Sequence, residues 1–441
     1  MVITVQNRNQ ELGKFFNALK DRTLEPDDAA YVPHVHDEQS GDPIADLARQ
    51  ILWSVGGGTY LFTGQRGTGK STELRRLRRD LQVQNCEVFL LDMAKYLHET
   101  EPVEIGDFLI SLMGALSDAV EEKFDHAMLP GSESYWERIE KFLQADVSVK
   151  EIDLKVIKLS LKDDRTFKQA IQAAARGKVG TLVADARAFA TDLMRKVNMA
   201  VGDRRIVVIA DSVERLRGVN AESSKQVFDS AIALFSGNPD HLKFPGIDVV
   251  YSVPPYLSAL TANLSALYNS QLVSLASAHV YLSPSSGTAR QPNDCGLAVM
   301  EKMVEQRYAA WREVLTSAQL RRLALASGGD IRDFFRLLGA VLVKAGNPSN
   351  ALPVADVAVD AAENAMHREM LPIPDNHKDW LKRIAQSHES ELAELSDLAT
   401  FAGFLDSRVV LNYRNGKDWY DVHPLLWEVI DAHEPRSPAA G

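Results

Sequence analysis

The run TYLFTGQRGTGKSTELRRLRRDLQ, residues 59–82, decides the fold. Its first five residues, 59–63, are β-rich and apolar, the pattern of a short strand covered on both faces. GQRGTGKS (64–71) follows and matches GxxxxGK[ST] in full. Beyond it, Leu74, Leu77 and Leu81 recur at helical spacing on one stripe. A polyphosphate must approach main-chain N–H groups closely, and Gly64, Gly67 and Gly69 supply the backbone freedom for that. The helix that follows aims its positive end and unpaired N–H groups at the anion. In this pattern Lys70 reaches the β- and γ-phosphates of ATP and Ser71 holds Mg²⁺. Gln65, Arg66, Thr68 and Thr72 complete the expected nucleotide-binding stretch.

Further apolar runs lie outward from this one. EVFLLD (87–92), IVVIAD (206–211) and IDVVYSV (247–253) are continuous enough to be buried strands, and AHVYL (278–282) is a fifth candidate. Helical patterns separate them, which predicts an α/β fold with a mainly parallel five-stranded sheet. One helix starts after Asp42-Pro43 and stops at Gly56-Gly57-Gly58. The expected divisions are an N-terminal helix and loop over 1–42, a core over 43–290, a helical lid over 291–350 and a last module over 351–441. The core carries an insertion at about 120–203. Within it, VSVKEIDLKVIKLSLK (147–162) alternates like a strand or hairpin with one slip near Ile157. The last module reads as helices followed by RVVLNYRNGKDWYDV (408–422), where Asn415-Gly416 signals a hairpin. Helices and one hairpin together suggest a winged-helix-like domain.

Mg²⁺ beside phosphates needs carboxylate support. Asp211, at the end of IVVIAD, is the candidate, as a metal ligand or as a cap for the next helix. Glu214 could polarise an attacking water or be a solvated residue. Ser252 could contact the γ-phosphate or water, or cap the turn before Pro254-Pro255.

Composition narrows the classes. The 441 residues are 45% hydrophobic and 25% charged, enough to bury a core and unlike a disordered chain. With 49 Lys and Arg against 60 Asp and Glu, the net charge is −11, which does not suit coating nucleic acid or anionic lipid. Two cysteines cannot make a disulfide framework or a cysteine-based zinc site, and they fit a reducing cytoplasm. Apolar runs of about five to seven residues fall short of the ~20 that span a bilayer. The start of the chain does not read as a signal peptide.

Together these motifs resemble the STAND and origin-recognition (Orc/Cdc6-like) branch of P-loop ATPases, relatives of AAA+ proteins, in a bacterial form. Tyr31-Val32-Pro33 looks like the branch's adenine-pocket box, and IVVIADSVERL is similar to its strand ending in acids. SGGDIRDFFRLL (327–338) resembles the start of its sensor-2 helix, and WYDVHPLL fits its winged helix. The resemblance implies that Arg332 reaches back to the β- and γ-phosphates. It implies an ATP- and Mg²⁺-dependent switch in a prokaryotic signalling or antiviral defence system, with Lys70, Asp211, Glu214, Ser252 and Arg332 as catalytic residues. No effector domain is visible, so a protein partner is expected, with self-association as a further possibility. Ser212 stands where the branch often has its catalytic acid, which implies slow turnover. No arginine finger precedes the fifth strand. Catalytic positive charge is therefore expected from Arg332, from Arg165, Arg176 or Arg187 in the insertion, or from another protein.

A winged helix also raises the alternative of a DNA-loading ATPase. Residues 351–441 hold 8 Lys and Arg against 16 Asp and Glu, and DNA affinity leans on cations, so this module is expected to recognise protein. A nucleotide-gated scaffold with very slow hydrolysis is the other alternative, favoured by Ser212.

Overall fold

The computed structural model describes residues 7–33, 35–36, 41–124, 134–144, 162–217, 221–284, 290–347, 351–415 and 417–430. The chain divides into two compact units. One comprises Ile44–Thr63 and Glu73–Ser274 and carries the sheet; the other takes the chain up to Pro43, Gly64–Thr72 and everything from Leu275 on.

The sheet has the order β2-β3-β4-β1-β5 and is parallel throughout. Its strands are β1 (Thr59–Gly64), β2 (Glu87–Asp92), β3 (Ile206–Asp211), β4 (Asp248–Val253) and β5 (Val273–Leu275). Every residue of β1, β3 and β4 is buried, which is why these strands read as unbroken apolar runs. Registers are fixed, with Phe62 opposite Ser252 and Asp92 opposite Asp211. The fifth strand corrects the sequence expectation. It is Val273–Leu275, whereas AHVYL contributes only an isolated bridge between Tyr281 and Pro292.

Helix Ile105–Lys123 packs on β2 and on two helices of the expected insertion, Arg165–Arg176 and Val179–Val201. Lys168 and Asp107 form a buried ion pair there, 3.4 Å apart. The strand or hairpin expected over 147–162 lies outside the described residues, save its last position. Arg165 pairs with Glu101 and Arg176 with Glu104, while Arg187 donates to the carbonyls of Asp240 and Lys243. The three arginines weighed as fingers are thus engaged inside their own unit.

The second unit is helical around a core that includes Phe15, Val32, Trp311, Phe334, Leu338 and Val341. Helix Ser317–Ala326 opens with a capping box between Thr316 and Gln319. Helix Ile331–Ala345 opens on the cap Asp330, whose side chain accepts from the Asp333 N–H. Helices Asp375–Ser387 and Leu398–Asp406 then precede an antiparallel hairpin of β6 (Val410–Asn415) and β7 (Lys417–Val422). The hairpin expected from Asn415-Gly416 is thus present, with Val410 opposite Val422 and Asn415 opposite Lys417. Trp419 and Tyr420 are buried, the first stacked on Tyr413 with ring centroids 4.1 Å apart. They are packing residues of the hairpin. Among the described residues no helix is long and apolar enough to cross a membrane.

Candidate nucleotide-binding site

The loop 64–71 follows β1 and runs into helix Lys70–Val83, the order the motif requires. Gly67 and Gly69 have φ of +100° and +92°, values that a side chain would strain. At Gly67 a Cβ would lie 2.9 Å from the Arg332 Cβ and 3.1 Å from the Asp330 Oδ1, so only glycine allows this approach. Lys70 is buried and donates its ammonium to the carbonyls of Gly64 (2.8 Å) and Gln65 (2.9 Å). The hydroxyl of Thr68 also donates to the Gln65 carbonyl, at 2.9 Å. Thr72 spends an acceptor position on the Leu24 N–H, 3.1 Å away. Arg66 is exposed, and Ser71, at the start of the helix, is half-buried.

The sensor-like segment stands against this loop. The Arg332 guanidinium pairs with Asp21 at 2.6 Å, and its Nε is buried with no partner. Asp330, fully buried, has a second carboxyl oxygen without a partner. Burial, reinforced by the neighbouring Asp333 charge, pushes its pKa up to about 7. Asp333 is fully buried too and is bonded by Arg408 at 2.8 Å and Arg336 at 3.1 Å. His423 stands 3.8 Å from it, and burial holds this imidazole down to about 4. Its Nδ1 accepts from the Leu425 N–H, so the neutral ring carries its proton on Nε2, toward Asp333.

The expected adenine box is anchored rather than loose. Val32 is in the helical unit's core, Tyr31 is half-buried and Pro33 is exposed. Arg307 holds the Ala30 carbonyl at 3.1 Å, and Arg22 grips Asp28. His36 reaches the phosphate loop. Its Nδ1 donates to the Ala276 carbonyl at 2.9 Å, and its Nε2 would stand 3.9 Å from a Cβ at Gly69. Burial lowers its pKa to about 4, so this ring is neutral near pH 7.

In the sheet unit, Asp211 is buried at the end of β3 and accepts from the N–H of Ser212 at 2.7 Å. Ser212 sits in the left-handed region at φ +69°, a conformation that costs a non-glycine residue energy. The structure brings Glu214 and Ser252 together. The Ser252 hydroxyl donates to the Glu214 carboxylate at 2.7 Å and accepts from the Val213 N–H at 3.1 Å. Ser252 therefore orients the 213–215 turn rather than capping the turn before Pro254.

The residues fit a nucleotide. Glycines at positive φ, a buried ammonium bonded to loop carbonyls, and two buried polar atoms without partners beside Gly67 are what a phosphate cradle offers. Among the described residues no group of three or more His, Cys, Asp or Glu could hold a metal. A magnesium ion bound through phosphates needs fewer protein ligands than that. Sequence reasoning missed the depth of Gln65, which is 1% exposed, and the closeness of Asp330 to the loop. Asp330 carried a signal, an acid just before an apolar helix; Gln65 carried none.

No family model matches the chain, and no curated protein matches it. It is similar to a solved Walker-type ATPase of Pyrococcus abyssi at 14% identity and a TM-score of 0.42, over 94% of this chain and 99% of that one. The ADP form of the Aeropyrum pernix ORC2 protein is similar at 11% identity and 0.40, over 94% and 96%. Drosophila ORC bound to poly(dA/dT) DNA and Cdc6 is similar at 12% and 0.34, over 92% of this chain and 51% of that one. Likeness this distant carries no activity, ligand or partner over to this chain.

Proposed function

We propose that this chain is an ATP-binding and ATP-hydrolysing switch. It would couple nucleotide state, through its C-terminal module, to a partner protein in a prokaryotic signalling or defence system. The observation that carries the proposal is the loop itself: Gly67 and Gly69 at positive φ, Lys70 buried against loop carbonyls, and Arg332 beside Gly67. In this reading the loop N–H groups bind the phosphates and Lys70 turns from its carbonyls to the β- and γ-phosphate oxygens. Arg332 leaves Asp21 for the γ-phosphate. Mg²⁺, held by Ser71 and Asp211, would neutralise charge that develops on the phosphate oxygens. Glu214, oriented by Ser252, would hold and polarise the attacking water. Tyr31, Val32 and Pro33 would flank the base.

Ser212, strained and standing where a catalytic acid was expected, favours slow turnover, and with it a scaffold gated more by binding than by hydrolysis. The acidic charge of 351–441 favours a protein over DNA as partner. ADP release from ATP, followed with Mg²⁺ and again with excess chelator, tests the proposal. Slow hydrolysis that stops without Mg²⁺ is expected. A chain that neither binds nor cleaves ATP in Mg²⁺ contradicts it.

A further inference from the structure

Gln65 occupies a variable position of the phosphate motif, where phosphate binding makes no demand on the side chain. Here that side chain is buried and bonded through both its amide nitrogen and its amide oxygen, and the partners of these bonds lie outside the loop. Its Nε2 donates to the carbonyls of Leu405 (3.2 Å) and Val410 (2.6 Å), and its Oε1 accepts from the Asn412 N–H (2.7 Å). Leu405 lies in the last turn of helix Leu398–Asp406, where carbonyls lack partners within the helix. The Val410 carbonyl and Asn412 N–H belong to the edge of β6 not paired to β7, an edge that the Ser277 N–H extends by donating to the Asn412 carbonyl at 3.1 Å. One primary amide thus closes a helix end and a strand edge of the C-terminal module.

The main chain of the same residue is the hub of the loop. The Gln65 carbonyl accepts from the Lys70 ammonium and from the Thr68 hydroxyl. A phosphate that draws Lys70 away removes the charged partner of this carbonyl, and any turn of the peptide is felt by the side chain it carries.

We propose that Gln65 is the positioning residue through which the phosphate loop holds the C-terminal hairpin, and that a bound triphosphate loosens that hold. This rests on the reading of the loop as an ATP site. Coupling of this kind is reciprocal. If ATP weakens the bonds to Leu405, Val410 and Asn412, then removing those bonds strengthens ATP binding by the same factor.

Hydrogen exchange of the wild-type chain, with and without a non-hydrolysable ATP analogue and Mg²⁺, reads the first half. Faster exchange at the Asn412 amide with analogue is expected; protection unchanged or increased at a saturating level overturns the coupling. Analogue affinity of Gln65→Ala reads the second half, and a Kd tightened by about fivefold or more is expected. An unchanged or weaker Kd makes Gln65 a support for the loop only and overturns the proposal. The wild-type arm needs no variant, so a poorly folded Gln65→Ala leaves a decisive result. Wild-type chain that binds no analogue sinks the ATP site and the coupling together. Binding without a response at Asn412 sinks the coupling alone.

Discussion

The guanidinium of Arg332 lies 2.6 Å from the carboxylate of Asp21, an acid whose side chain is 64% exposed. Surface pairs of this kind contribute only ~0–1 kcal/mol. A phosphate group carries more charge and offers Arg332 more acceptors, so it competes well for this guanidinium. Asp21→Ala is expected to tighten ATP binding a few-fold, and Arg332→Ala to weaken it by roughly tenfold, about 1.4 kcal/mol. Titration calorimetry on both variants checks the pair. Tighter binding by Arg332→Ala would remove the residue from the site.

Gly67 cannot carry a side chain without moving its neighbours. A Cβ there meets the Arg332 Cβ at 2.9 Å, and its φ of +100° is strained for any other residue. Gly67→Ala is expected to cost about 1–3 kcal/mol of stability and to weaken ATP binding. Urea unfolding and nucleotide titration measure the two losses. A variant as stable as wild type would mean that the loop does not press on the sensor-like helix.

Asp330 makes stability depend on pH in a defined direction. Its carboxyl is raised from an ordinary 3.8 to about 7 by burial. Between those values the folded chain keeps a proton that the unfolded chain has released. Its contribution to stability therefore falls as pH rises through that window and levels off above about 7. His36 and His423 act oppositely. Both are lowered from 6.5 to about 4, so acidification across that range favours the unfolded chain. Asparagine caps helices as well as aspartate does. The stability of Asp330→Asn relative to wild type is therefore expected to rise from pH 5 to pH 8, since the histidine terms cancel in the difference. Denaturant unfolding of both proteins at the two pH values checks it, and a flat difference contradicts the role given to Asp330.

Ser252 donates to Glu214 at 2.7 Å and so fixes the carboxylate proposed to hold water. Ser252→Ala is expected to lower kcat by about tenfold or more while the ATP Kd stays near wild type. Single-turnover kinetics with an independent binding titration separate the two quantities. A variant weakened in binding alone would assign Ser252 to nucleotide contact instead.

What the sequence showed depended on how local the physics was. The phosphate loop and β1 were legible because a strand, three glycines, a lysine and a helix start are contiguous and each has its own physical demand. β5 was not. Val273–Leu275 is too short to show a period, whereas AHVYL alternates like a strand yet makes one bridge at Tyr281. The hairpin β6–β7 was announced by its alternation on either side of Asn415-Gly416. Arg332 could be singled out by the motif around it, but its partner Asp21 could not, since that pairing exists only in the folded chain. Gln65 was invisible as more than a loop residue because all three of its side-chain partners are backbone groups far along the chain, and backbone groups leave no mark in a sequence.

Calorimetric titration of Mg·ATP into the wild-type chain and into Lys70→Ala bears most directly on the phosphate site. One equivalent bound by wild type, with affinity at least about tenfold weaker once the ammonium is gone, is the expected result. Equal binding by the two proteins, or none by either, would contradict a triphosphate held in the loop of residues 64–71.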